Sequence, residues 1–175
     1  EAEKQYLAQI ELTPKVAQPY SRLAASRIAR QDLEGAIAAY RMGLEQQPDS
    51  LQLLISLAGA YERQHEFDKA IQLYEQALEQ QPGNALATNN LAALLSDQRT
   101  DAASLDRALE LASKFKEAEQ AVFQDTLGWV HYRRGEYDQA VEILTGAVEK
   151  APEVALLQYH LGMAHHRAGN QDDAR

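Results

Sequence analysis

Four of the five prolines of this 175-residue chain are Pro14, Pro48, Pro82 and Pro152, spaced 34, 34 and 70 residues apart, the last gap being one period of 34 and one of 36. Proline has no N–H to donate and restricts the residue before it, so a proline recurring at fixed spacing marks a helix end that recurs. The chain reads as an array of repeats. With each proline at place 32 of a unit, the repeats run 17–50, 51–84, 85–120 and 121–154, preceded by residues 1–16 and followed by residues 155–175.

Other places obey the same frame. Place 7 is always leucine (Leu23, Leu57, Leu91, Leu127, Leu161), and place 8 is always small (Ala24, Ala58, Ala92, Gly128, Gly162), which lets two helices approach closely. Place 20 is Ala36, Ala70, Ala140 and Ala174; place 24 is large in Tyr40, Tyr74 and Leu144; place 27 is small in Gly43, Ala77 and Ala147. Apolar residues recur every three and four places, so each half of a unit predicts an amphipathic helix. The turns between halves fall at Gln31-Asp32, His65-Glu66, Gly135-Glu136 and Gly169-Asn170. Thirty alanines, 23 leucines and 18 glutamines against 9 glycines are helix chemistry. The absence of cysteine excludes disulfides, thiolate catalysis and cysteine-held metals. The longest near-apolar run, Leu51 to Ala60, is far shorter than a membrane span.

This pattern resembles the tetratricopeptide repeat (TPR) family along the whole chain. Residues 1–16 match the second helix of an earlier unit, through Ala2, Tyr6 and Pro14, and residues 155–175 match a fifth unit cut inside its second helix at Ala174-Arg175. The runs Asn89-Asn90-Leu91-Ala92, Asp125-Thr126-Leu127-Gly128-Trp129 and Tyr159-His160-Leu161-Gly162 are also similar to bacterial TPR proteins, some of them envelope lipoproteins linked to exopolysaccharide export. The resemblance implies an all-α fold: a right-handed α-solenoid of antiparallel helix pairs, first helices lining a concave groove and second helices the convex face. There are departures. The unit 85–120 needs about four extra residues within 97–104, so that Ala108 reaches place 20, and its second helix is expected from Leu105 to Glu119. The family's tryptophan at place 4 is replaced by Tyr20, Leu54, Thr88, Gln124 and Gln158, which predicts weaker outer packing in the later units.

Net charge is -9, which argues against a nucleic-acid partner, but the charge is unevenly placed. The first-helix segments hold seven arginines, no lysine and three acids, a net of +4 that leaves -13 for the rest. Arg63, Arg133 and Arg167 share place 13, an arginine row suited to bidentate contacts with carboxylates. The alternative is that these arginines pair with acidic neighbours of their own chain. Places 2, 5, 6, 9, 12 and 13 are the groove-facing set that the resemblance implies. They gather Asp125, Trp129 and Tyr132 in one unit and Tyr159, Met163 and His166 in the next, with His160 beside them. Trp, Tyr and Arg are enriched at binding hot spots; the competing reading is that Trp129 packs against the next helix. Asn89, Asn90 and Asp125 are expected to hydrogen-bond a peptide backbone. Places 5 and 9 lack the lysine and asparagine with which some family members clamp a terminal carboxylate.

No catalytic set is legible. His160 lies five and six residues before His165 and His166, spacings that do not put two imidazoles on one helix face as four would. His131 and His165 both stand where the repeat expects a packing tyrosine. Glu62 and Asp125 read as isolated carboxylates, and no phosphate loop or serine elbow occurs. The expectation is a non-catalytic module without cofactor or metal. Its groove recruits a protein or peptide, extended or helical, with acidic and apolar anchors, through Arg63, Asn89, Asn90, Asp125, Trp129, Tyr132, Arg133, Tyr159, Met163, His166 and Arg167. Two alternatives stand beside it: a structural scaffold of an envelope or export complex that self-associates through exposed half-repeats, and the recruiting arm of a multidomain enzyme. The opening Glu1-Ala2-Glu3-Lys4 shows no leader and suggests a piece of a longer array, so cytoplasmic and periplasmic locations both fit.

Overall fold

The computed structural model describes residues 2–169, and among them helices are the sole regular structure. The helices are α1 (Ala2–Leu12), α2 (Ala17–Ala29), α3 (Leu33–Gln46), α4 (Leu51–Arg63), α5 (Phe67–Gln80), α6 (Ala85–Gln98), α7 (Ala102–Ala112), α8 (Ala121–Arg133), α9 (Tyr137–Lys150) and α10 (Ala155–Ala168). The expectations at Asn170, Ala174 and Arg175 lie outside the described residues. Residues 1–87 and 88–175 form two compact units, the division falling within α6.

Except after α6, each first helix ends in the same backbone device. Place 15 is left-handed in four turns: Gln31 (φ 63°), His65 (φ 61°), Gly135 (φ 81°) and Gly169 (φ 87°). Two amides then close back on the first helix, as where Gln31 donates to Ile28 O at 2.9 Å and Asp32 to Arg27 O at 2.9 Å. A non-glycine side chain costs about 1–2 kcal/mol in this conformation. Gln31→Gly is therefore expected to raise the urea midpoint, for a gain of about 1 kcal/mol, while Gly135→Ala lowers it by a similar amount.

Place 8 and place 24 pack as complementary pairs. Ala24 and Tyr40 share the core of the first unit, with Leu23, Ile37, Leu53 and Leu57. In the second unit Leu144 sits over Gly128, where an added Cβ would lie 2.6 Å from Leu144 Cγ. Gly43 at place 27 serves a similar closeness: a Cβ there would meet Leu53 Cδ1 at 2.7 Å and the Tyr20 ring at 3.0 Å. Place 4 takes on a second task, because the Tyr20 hydroxyl donates to Pro14 O at 3.0 Å and Gln158 Nε2 to Pro152 O at 2.6 Å. These side chains tie the loop between units to the helix that follows it.

The second helix of unit 85–120 departs from its expected span of Leu105–Glu119. Asp101 caps it by accepting from Ser104 N at 2.9 Å, so it starts at Ala102, and it stops at Ala112 in a 3-10 turn over Ser113–Phe115. The cause is an exchange of sizes. Counting from Ala108 as place 20, Ala112 is small where other units are large, and Phe115 is large where they are small. Phe115, at the end of the 3-10 turn, is buried and stacks on Phe123 at 4.6 Å between ring centres.

An ionic cluster fastens α7, α8 and α9. Arg134 pairs with Asp106 and, at 2.9 Å, with Glu136, whose other oxygen accepts from His131 Nδ1 at 2.6 Å. Burial alone would raise the Glu136 carboxyl, but the hydrogen bonds and charges of Arg134 and His131 outweigh it and hold it below the usual glutamate range. A carboxyl lowered by folding contributes stability that is present above its unfolded value, about 4.3, and is lost as pH falls through the folded one. The deficit of Glu136→Gln against the native chain in urea unfolding is thus expected at pH 7 and absent near pH 3.

Candidate protein-interaction face

The face is built by first helices. Short turns reverse the chain before α9 and again before α10, so α8 and α10 run the same way, and places 2, 9 and 13 form one stripe on each because seven and eleven residues are close to two and three whole turns. The stripe on α8 is Val122, Trp129 and Arg133; on α10 it is Leu156, Met163 and Arg167. Val122 is 54% exposed, Leu156 56% and Tyr159 59%, far more than an aliphatic or tyrosyl side chain of the core.

A linked aromatic and acidic group is centred on Trp129 of the α8 stripe. Trp129 stacks on His160 at 4.1 Å and on Tyr132 at 4.6 Å, and its indole N–H donates to Asp97 of α6 at 2.7 Å. The buried Asp125 carboxylate faces His160 Nδ1 with both oxygens, at 2.9 and 3.0 Å. A carboxylate only accepts, so this imidazole carries its proton on Nδ1. Tyr132 leans on Tyr137, over whose ring Arg167 lies at 5.0 Å while donating to its hydroxyl at 2.6 Å.

Trp129, Tyr132, Arg133, Tyr159, Met163, His166 and Arg167 all lie on α8 and α10, with Tyr159 tilted against His160 at 5.9 Å. Asn89 is buried on α6, Asn90 is half-buried, and the Asn89 amide donates to Asn90 Oδ1 at 3.5 Å. Arg63 is exposed on α4 in the first unit. One reading needs correction. Asp125 and Glu62 are not isolated carboxylates: Asp125 holds His160, and Glu62 accepts from the Tyr74 hydroxyl at 2.5 Å. In the arginine row the alternative of pairing within the chain holds for Arg133, which approaches Asp97 at 3.7 Å and donates to its carbonyl at 3.3 Å. Asp97 is the member missed by reasoning along one helix at a time, and His160, which the sequence sets beside the aromatic group, was not paired there with Asp125. Their signal was in the frame, because each sits about one period from its partner.

Outward-facing crevices of about 230 and 260 Å³ occur at matching places of the two units. One has Leu127, His131 and Ile143 on its wall, the other Leu57, Tyr61 and Leu73. Their recurrence makes them a product of the repeat geometry.

Two family models described as tetratricopeptide repeat match residues 51–94 and 126–175. The TPR repeat-containing protein PA4667 of Pseudomonas aeruginosa is 29% identical over 120 residues, covering 69% of this chain. The chain spans a fifth of that relative's length. Among solved structures, MamA from Desulfovibrio magneticus RS-1 superposes with a TM-score of 0.77 at 18% identity, over 90% of this chain and 88% of its own. YrrB, described as a TPR protein with an unusual peptide-binding site, gives 0.74 at 20%, over 97% of this chain and 86% of its own.

Proposed function

The chain belongs to the tetratricopeptide repeat family, whose fold makes it a protein-interaction module, and from that premise we propose that α8 and α10 of the second unit bind a segment of a partner protein. The observation that carries this is the exposed band Val122, Leu156 and Tyr159 beside the Trp129 stack. Aliphatic and aromatic area left in water next to side chains already fixed by hydrogen bonds loses little entropy on docking. The peptide-binding site named for YrrB supports the same use of this fold. That the matched stretch is a fifth of the Pseudomonas relative favours a second reading, in which the array is the recruiting arm of a larger protein.

The test is affinity capture with the native chain and with Tyr159→Ala, followed by titration of the captured segment. Loss of an anchor of this kind is expected to weaken binding by about tenfold or more, corresponding to roughly 1.4 kcal/mol or above. Unchanged affinity in Tyr159→Ala together with Leu156→Ser would refute the assignment.

A further inference from the structure

The two stripes repeat one order along their helices, which is more than an exposed apolar patch requires. Each begins with an exposed aliphatic residue, Val122 or Leu156, continues through a large side chain, Trp129 or Met163, and ends in an arginine, Arg133 or Arg167. Since the helices run in the same direction, the face is banded across its width: aliphatic at the helix starts, the larger Trp129 and Met163 in the middle, cationic at the helix ends. Eleven residues separate first and last bands, about 16 Å of helix rise. Asp97 offsets one arginine, and among the described residues Arg167 touches no carboxylate, only Tyr137. His166 is exposed beside it. On the first helices Arg133 and Arg167 face the single carboxylate Asp97, while Glu136 and Asp138 of the following turn and helix line a crevice together with Arg167.

We infer that this face takes an amphipathic α-helix of the partner, lying across α8 and α10 with its apolar flank on Val122 and Leu156 and an acidic flank on Arg133 and Arg167. The inference rests on the partner-binding reading above and narrows it. The width decides the shape of the ligand. A helix with its side chains is about 10–12 Å across, so with the reach of an arginine it touches both outer bands at once while its underside rests on Trp129, Met163 and Tyr159. An extended chain crossing both helices stays within one band, and one laid along a single stripe leaves the other unused. Charge decides the second flank, because carboxylates three and four apart share one flank of a helix and so turn a continuous acidic row toward the arginines near the ends of α8 and α10.

The test uses synthetic peptides of about 18 residues, long enough to form helix in water. One carries leucine along one face and glutamate along the adjoining flank. A second has the same composition in an order that destroys the two faces, and a third has lysine for glutamate. Binding is followed by calorimetry and by amide shifts in α8 and α10. The first peptide is expected to bind at least about tenfold more tightly than the other two. Arg167→Glu, an exposed position, should remove the preference for glutamate over lysine, and Leu156→Ser should weaken binding without altering it. Equal binding of the faceless peptide, or no binding of any of the three, overturns the helical inference. The broader reading fails separately, if partner capture is indifferent to Tyr159→Ala and Leu156→Ser.

Discussion

Replacing Gly128 with alanine is expected to destabilise the second unit by about 1–2 kcal/mol, although alanine is the better helix former by about 1 kcal/mol. The new methyl would lie 2.6 Å from Leu144 Cγ, 2.8 Å from its Cδ2 and 3.4 Å from Ile143 Cγ2. Leu144 is fully buried, so it has no solvent-filled space to move into. Gly128→Val, with a second branch at the same point, should cost about 3 kcal/mol. The repeats themselves indicate the compensation. Where place 8 is alanine in the first two units, place 24 is tyrosine (Ala24 with Tyr40, Ala58 with Tyr74), and where place 8 is glycine it is leucine. Combining Gly128→Ala with Leu144→Tyr should therefore recover most of the loss, a coupling that a double-mutant cycle in urea measures directly. Additive losses would mean that the two places are not a packing pair.

Asp125→Ala is the other large effect, expected at about 2–3 kcal/mol. The carboxylate is 5% exposed and is the partner of the half-buried His160 Nδ1, which loses this acceptor once it is removed. The imidazole in turn is one of the two rings stacked on Trp129, so the damage is expected to reach the interaction face. Asp125→Asn keeps an oxygen in place and should cost less than half as much. Urea midpoints of the two variants separate the charge from the acceptor and volume that asparagine keeps: a similar loss in both would place the stabilisation in the charge.

The helical architecture was legible because a 34-residue period leaves its mark at several independent places, proline, leucine and small residues together. What escaped was decided by side-chain size and by contacts between helices. The end of α7 depended on Phe115 and Ala112 having exchanged their usual sizes, which a count of apolar spacing does not register. Trp129 and Tyr132 were legible as neighbours because they stand three residues apart on one helix. The pairing of Asp125 with His160 and of Asp97 with Trp129 was not, because those partners are 35 and 32 residues apart and meet only when neighbouring first helices are laid side by side. Glu62 shows the same limit over a shorter distance, being engaged by Tyr74 from the following helix.

Trp129, fixed between Asp97, His160 and Tyr132, is the single tryptophan of the chain and belongs wholly to the second unit, whereas the first holds Tyr6, Tyr20, Tyr40, Tyr61 and Tyr74. Indole emission therefore monitors one half of the molecule, while far-ultraviolet dichroism counts helix in both. If the halves melt as independent cooperative units, the two signals give different denaturation curves; if they melt as one, the curves superimpose. The chain thus carries, without labelling, the probe needed to tell how far cooperativity travels along an array of repeats.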